Sequence, residues 1–336
     1  MKIHARRLLR EELPESTVER LAAGSWFASA GFAGLWRTIG GTPVVWVMER
    51  DGRFAGVMPG VEFGHGPLAL FCSMPDGCYG GLLLEPEAES ERAAIATALF
   101  DALSERRYRG THVFDFYHTL PQHPGFTARA CEATLIEIGG AEWSPPDRKL
   151  VAQARKATRE GIRVEPFEWT RHRERLLRLV EITAARHRVE PRYPPAFYQA
   201  LSELATRDPR VVWRWCEHDG APAASHIYVR ERGMLLAWHT YFDRRFSFLK
   251  PNPYIRLTLC RTLAPAGLTC MNLGSTPATA PGLAAYKMRW GGARVTYPRY
   301  ERTRGLHADL LMAALAGWRR DNGNGAANGH GSASPD

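Results

Sequence analysis

The residues best suited to chemistry lie late in the chain. Asn272-Leu273-Gly274-Ser275-Thr276-Pro277 ends an apolar stretch on small, hydroxyl-bearing residues, and Gly282 to Gly292 follows with Lys287 between Tyr286 and Trp290. Loops at strand ends are where α/β sheets present binding groups. A lysine whose stem lies along aromatics can aim its ammonium inward, at a phosphate or a developing oxyanion. A surface lysine laid over core aromatics fits the same residues equally well. Trp238-His239-Thr240-Tyr241-Phe242-Asp243 supplies two candidate proton carriers, His239 and Asp243. Asn252, just before Pro253, reads more plainly as a helix cap than as a ligand contact.

A basic run forms the third group. Arg148, Lys149, Arg155, Lys156, Arg159 and Arg163 recur at helical spacing, with Val151, Ala154 and Ala157 between them. The spacing gathers most of these cations on one face. They would suit a polyphosphate or an RNA backbone, although a solvated helix face is the plainer reading. The formal charge of +9 fits an anionic partner as well, or simply an arginine-rich surface. Other chemistry finds little support: there is no G-x-S-x-G elbow, P-loop or dinucleotide fingerprint. None of the six cysteines forms a C-x-x-C pair, and Cys72 and Cys78 have no histidine at zinc-ligand spacing. Neither a metal site nor a disulfide framework is therefore expected.

These groups need a scaffold of strands and helices in alternation. Val44-Val45-Trp46 leads into Asp51-Gly52, and Val211-Val212-Trp213 leads into Asp219-Gly220. Each reads as a strand, a tight hairpin turn and a second strand. One such hairpin means little, but two set half a chain apart point to duplication. Strands are expected at 68–71, 82–84, 112–117, 134–138, 234–241 and 269–273. Helices are expected at 15–21, 89–105, 147–160, 173–186, 195–206, 253–263 and 306–319. This alternation predicts an α/β or α+β fold with mixed sheets. The 336 residues suffice for two domains, with a junction at Ser144-Pro145-Pro146. Residues 321–336 are Gly, Asn, Ala and Ser-rich and read as a disordered tail. No apolar run approaches the ~20 residues of a membrane span, and Met1 to Pro14 lacks a signal-peptide core, so a cytoplasmic location is expected.

In order and spacing, several patterns resemble the Fem-type (FemAB-like) branch of the GNAT acyltransferase superfamily. They are Arg155 to Val164, Asp219 to Ala224, Leu249 to Pro253, and Asn272-Leu273-Gly274 through Lys287 to Gly291. In the first half, Ser73-Met74-Pro75 to Tyr79-Gly80-Gly81 is similar to the family's S-x-P and Y-G-G element. The resemblance implies two tandem GNAT-like domains with mixed central sheets flanked by helices. The first would cover 1–145 and face the acceptor, with helix 306–319 folding back on it. The second would cover 146–305 and hold the donor.

The reaction implied is acyl transfer to an amine, with an aminoacyl-tRNA as donor and no cofactor. Acyl-CoA is the alternative donor, and a non-catalytic binding protein is the third possibility. The nearest stretch to a CoA pyrophosphate loop, Arg37 to Thr42, ends in Thr and precedes a strand, which argues against CoA. Acceptors in view are a cell-envelope precursor or a small metabolite. On this reading Lys287 stabilises charge, and His239 and Asp243 handle the proton. Arg155, Lys156, Arg159, Asn252, Ser275, Tyr286 and Trp290 contact the donor, and Arg37 contacts the acceptor.

Overall fold

The computed structural model describes residues 2–303 except Ala23, Arg107, Ala141, Pro277 and Ala278, and only the backbone of Pro67. The expected helix at 306–319 and the tail at 321–336 lie outside the described residues.

The first half runs β1 (Ile3–Leu9), α1 (Glu15–Ala22), α2 (Ala30–Leu35), β2 (Gly41–Arg50), β3 (Arg53–Phe63), β4 (Leu70–Cys72), β5 (Leu83–Leu84), α3 (Arg92–Glu105), β6 (Gly110–Phe114) and β7 (Thr127–Glu137). The second begins with α4 (Arg148–Arg159), β8 (Arg163–Pro166), α5 (Trp169–Arg186), α6 (Pro195–Arg207), β9 (Val211–His218) and β10 (Ala221–Glu231). It ends with β11 (Met234–Phe242), α7 (Pro251–Leu263), β12 (Cys270–Asn272), α8 (Pro281–Met288) and β13 (Ala293–Thr303). All strands join one mixed sheet ordered β1-β2-β3-β4-β6-β13-β7-β12-β11-β10-β9-β8, with β5 on β3. This is the mixed α/β architecture that the sequence predicts.

The order is a palindrome of two equal runs. Each has four strands in antiparallel succession, then one parallel pair, β4 with β6 and β11 with β12. The last strands are exchanged: β13 pairs with β6, β7 with β12, and the two pair with each other from Ala293–Leu135 to Glu301–Thr127. The echoed hairpins match in detail. Asp51 and Gly52 have φ of 48° and 77°, and Asp219 and Gly220 have 49° and 74°. Both are turns with two left-handed residues, the kind whose twist suits a hairpin. Each is followed at the same offset by a bulge on the returning strand, where the pairing skips Ala55 and Ala223.

One aromatic core crosses between the halves. Trp26, Phe27, Phe32, Trp36 and Tyr79 pack with Tyr193, Phe197 and Trp238. Truncating a buried tryptophan of this kind costs ~3–5 kcal/mol. On the other face of the second half, α4 and α7 pack over the sheet. Asp147 caps α4 by accepting from the Lys149 amide at 2.8 Å, and Gly161, at φ 74°, ends it. Leu150, Ala154 and Ala157 face inward, which turns the cations outward. All six cysteines are free thiols.

Candidate active site

The parallel strands β11 and β12 pair only from Met234–Cys270 to Leu236–Asn272 and then diverge. A bulge marks the divergence, since the pairing of β11 with β10 skips Trp238. Bulges re-aim side chains and backbone next to active sites. Here the bulge lies directly before His239, whose side chain is 11% exposed.

Asn272 ends β12 and organises the other side. Its amide nitrogen donates to Tyr79 Oη at 2.6 Å, and its Oδ1 accepts from the Gly274 amide at 2.7 Å. The Gly274 and Ser275 carbonyls in turn accept from Lys287 Nζ, each at 2.8 Å. Lys287 is buried, and its pKa falls to about 8 through burial first and the nearby Arg256 charge second. At neutral pH it remains an ammonium. Two of its three donors are held by carbonyls and one is left to offer. Arg256, buried on α7, donates to Tyr286 Oη at 2.8 Å and lies over the Tyr286 and Trp290 rings at 5.6 and 5.5 Å. Among the described residues neither Arg256 nor Lys287 has a carboxylate partner within 4 Å.

Asp76 was not singled out in the sequence, where Asp76-Gly77 reads as an ordinary turn. Both residues are left-handed, at φ 61° and 71°, and the turn carries the loop across to the second half. There the Asp76 carboxylate is buried, paired with Arg192, and accepts from Tyr193 Oη. His239 Nε2 lies 3.0 Å from Asp76 Oδ2, off the line of a good hydrogen bond. Trp238 Nε1 donates to the Asp76 carbonyl at 3.3 Å. Burial pushes the Asp76 carboxyl up, but His239, Arg192 and Tyr193 outweigh it and hold the pKa below the usual value. No local pattern announces Asp76, because the partners of its carboxylate lie more than a hundred residues away.

The other sequence candidates are placed as follows. Asp243 caps the 244–249 turn, accepting from the Arg245 amide at 2.9 Å and gripped by its guanidinium at 2.9 and 2.6 Å. The Arg245 bonds lower its pKa, so it remains an acceptor. Asn252 does not cap α7, contrary to the expectation. The helix starts earlier, behind Lys250 in a left-handed conformation, and Asn252 Oδ1 instead meets His226 Nε2 at 2.8 Å. Burial drives His226 down to about 3, so it is a neutral partner. Tyr286 and Trp290 wall Arg256, and Ser275 is exposed. Arg155 and Arg159 are exposed and Lys156 half-buried, with no carboxylate within 4 Å among the described residues. Arg37 is exposed and paired with Glu11 at 2.7 Å.

Glu165, His172 and Glu217 gather at one place where a metal would find three ligand atoms. Their hydrogen bonds argue otherwise. His172 Nδ1 accepts from the Glu168 amide, so its proton sits on Nε2 and faces Glu165 at 3.0 Å. Metal binding at Nε2 would put that proton against the amide. Arg171 and Arg175 already pair the two carboxylates.

Comparison with known proteins bears on the fold that carries these residues. Residues 148–288 match the model of the acetyltransferase (GNAT) domain family. The crystal structure of FemX is similar over 92% of this chain and 100% of that one, at 12% identity and a TM-score of 0.66. The structure of L-PGS from Bacillus licheniformis is similar over 90% and 96%, at 12% identity and 0.55. A tandem GNAT protein from the clavulanic acid biosynthesis pathway is similar over 91% and 100%, at 12% identity and 0.52. No curated protein sequence matches the chain. Among the described residues no helix is long and apolar enough to cross a membrane. Residues 148–288 thus form an acetyltransferase (GNAT) domain, within a chain whose overall fold is similar to that of FemX and of a tandem GNAT protein.

Proposed function

We propose that the protein transfers an aminoacyl group from a charged tRNA to a primary amine on a small acceptor or envelope precursor. The observation that carries this reading is a chain of hydrogen bonds through Asn272. It joins Lys287 on α8, through Gly274 and Tyr79, to the loop that sets Asp76 against His239.

The chemistry follows from these positions. The acceptor amine nitrogen attacks the ester carbonyl carbon, and the carbon–oxygen bond to the ribose breaks. The amine loses a proton to His239, with Asp76 orienting the ring and stabilising the imidazolium, and the imidazolium then returns that proton to the departing ribose oxygen. Lys287 offers its remaining N–H to the developing negative charge at the carbonyl or leaving oxygen. A charge there is stabilised strongly because the group is already in place and shielded from water.

A contrast between equivalent helices supports donor binding in 146–305 and acceptor binding in 1–145. The segment before α3 carries Glu85, Glu87, Glu89 and Glu91, whereas the segment before α7 carries Arg244, Arg245 and Lys250. A helix N-terminus favours anions, and acidic residues there repel a phosphate. The unpaired cations of α4 extend the favourable side. Arg37 on the first half would meet a charged acceptor only by giving up its pairing with Glu11.

The test is transfer of labelled amino acid from total charged tRNA to a panel of amine acceptors. RNase treatment should abolish it. Transfer that survives RNase and requires acyl-CoA would replace this donor with a thioester.

A further inference from the structure

The turn joining β11 to α7 takes no part in the steps above, yet its surface is distinctive. Over Arg244–Leu249 the chain makes about two turns of 3-10 helix, burying Leu249 completely and leaving Phe248 52% exposed. Among the described residues its one ring neighbour is His218, edge-on at 6.5 Å. The surroundings are cationic. Arg244 stands close to Arg186 and His187, and both titrate low, through burial first and this crowding second. Asp243 is occupied by Arg245. Among the described residues Arg244 and Lys250 have no carboxylate within 4 Å. The exposed cations of α4 are in the same position, and α4 packs against this turn.

An exposed aromatic ring rimmed by unneutralised cations is the recognition chemistry of single-stranded nucleic acid. We propose that the 244–250 turn is a stacking platform for the unpaired 3′ end of the donor RNA. Phe248 takes a base, while Arg244, Lys250 and the α4 cations take phosphates. The inference rests on the RNA donor proposed above. Polynucleotide fits better than CoA because the cations continue along α4, whose 12 residues span about 18 Å, longer than one pyrophosphate.

The test is fluorescence anisotropy with a short labelled single-stranded RNA, with CoA-induced thermal stabilisation measured in parallel. Phe248→Ala should weaken RNA binding roughly 5- to 150-fold, the worth of one stacked base, and Phe248→Trp should retain it. Because the ring is exposed, neither change should alter the melting temperature. Unchanged RNA affinity in Phe248→Ala would overturn the platform. If binding then still falls on replacing Arg155 and Arg159, the RNA donor survives without it. Absence of RNA binding, with CoA stabilisation that Phe248→Ala removes, would overturn both the platform's RNA occupant and the RNA donor.

Discussion

Burying Lys287 has a consequence that can be measured without knowing the substrate. Its pKa falls from 10.5 to about 8. At 1.36 kcal/mol per unit, this is about 3 kcal/mol of preference for the neutral form in the folded state. Below pH 8 the lysine is charged in both states, and the folded protein bears the full cost of burying it. Between pH 8 and 10.5 the folded protein has released the proton while the unfolded chain still holds it, so stability contributed by this residue rises with pH. Lys287→Met removes that cost but also removes two charge-assisted bonds to the Gly274 and Ser275 carbonyls, each worth ~1.5–3 kcal/mol. Near pH 7 the two bonds, together ~3–6 kcal/mol, match or outweigh that cost, so the variant should be as stable as wild type or less stable. Wild type should then gain up to about 3 kcal/mol on the variant as pH rises to 10.5. Urea unfolding of both proteins at a series of pH values measures this difference. The buried tyrosines titrate alike in both and drop out. A difference that stays flat across the range, or that falls with pH, would refute the burial argument.

Three further outcomes are expected. Asp76→Asn should lower the single-turnover transfer rate by ~10²–10⁴, the usual worth of an assisted proton transfer, and flatten the acidic limb of the rate–pH profile; Glu165→Gln, away from the site, should leave both unchanged. Gly52→Ala and Gly220→Ala should each cost ~1–2 kcal/mol by urea unfolding, because each occupies a left-handed position with open space around the added Cβ, so only backbone strain acts. Unequal costs would show that the two hairpins are not equivalent. Replacing Arg155, Lys156 and Arg159 with Gln should reduce the slope of log affinity for RNA against log salt by about 2 to 3, and an unchanged slope would remove α4 from the interface.

The sequence showed those parts of the fold whose signals are local. The Asp-Gly hairpins, the 3.6-residue spacing of α4 and the Gly-Ser end of β12 depend on neighbours in the chain. β1, β8 and β13 were not foreseen. β13 carries Pro298 and four charged side chains, and much of its length is only partly buried, so it shows no apolar alternation. β7 was expected at 134–138 but starts at Thr127, because its first four residues are exposed despite their central place in the sheet. Within the site, Lys287 and His239 were visible as residue types in suggestive company. Asp76 was invisible because its role comes entirely from the distant elements packed around it.

The strand exchange and Asp76 are two aspects of how the duplicated fold was divided. In the second half the link from β11 to α7, Asp243 to Lys250, is short and basic. In the first half the equivalent link from β4 to α3 runs from Ser73 to Glu91 and is lined with glutamates. Its early part fills the opening of its own half, with the Gly80 amide bonded to the Phe114 carbonyl. The same stretch then reaches the other half through Asp76 and Tyr79. The exchanged strands β7 and β13 fix the two halves in the register this reach requires, since a one-residue slip of their pairing would turn the β7 and β13 side chains to opposite faces. The Asn272–Tyr79 bond is one place where the copies meet, beside the aromatic core and the β7–β13 pairing.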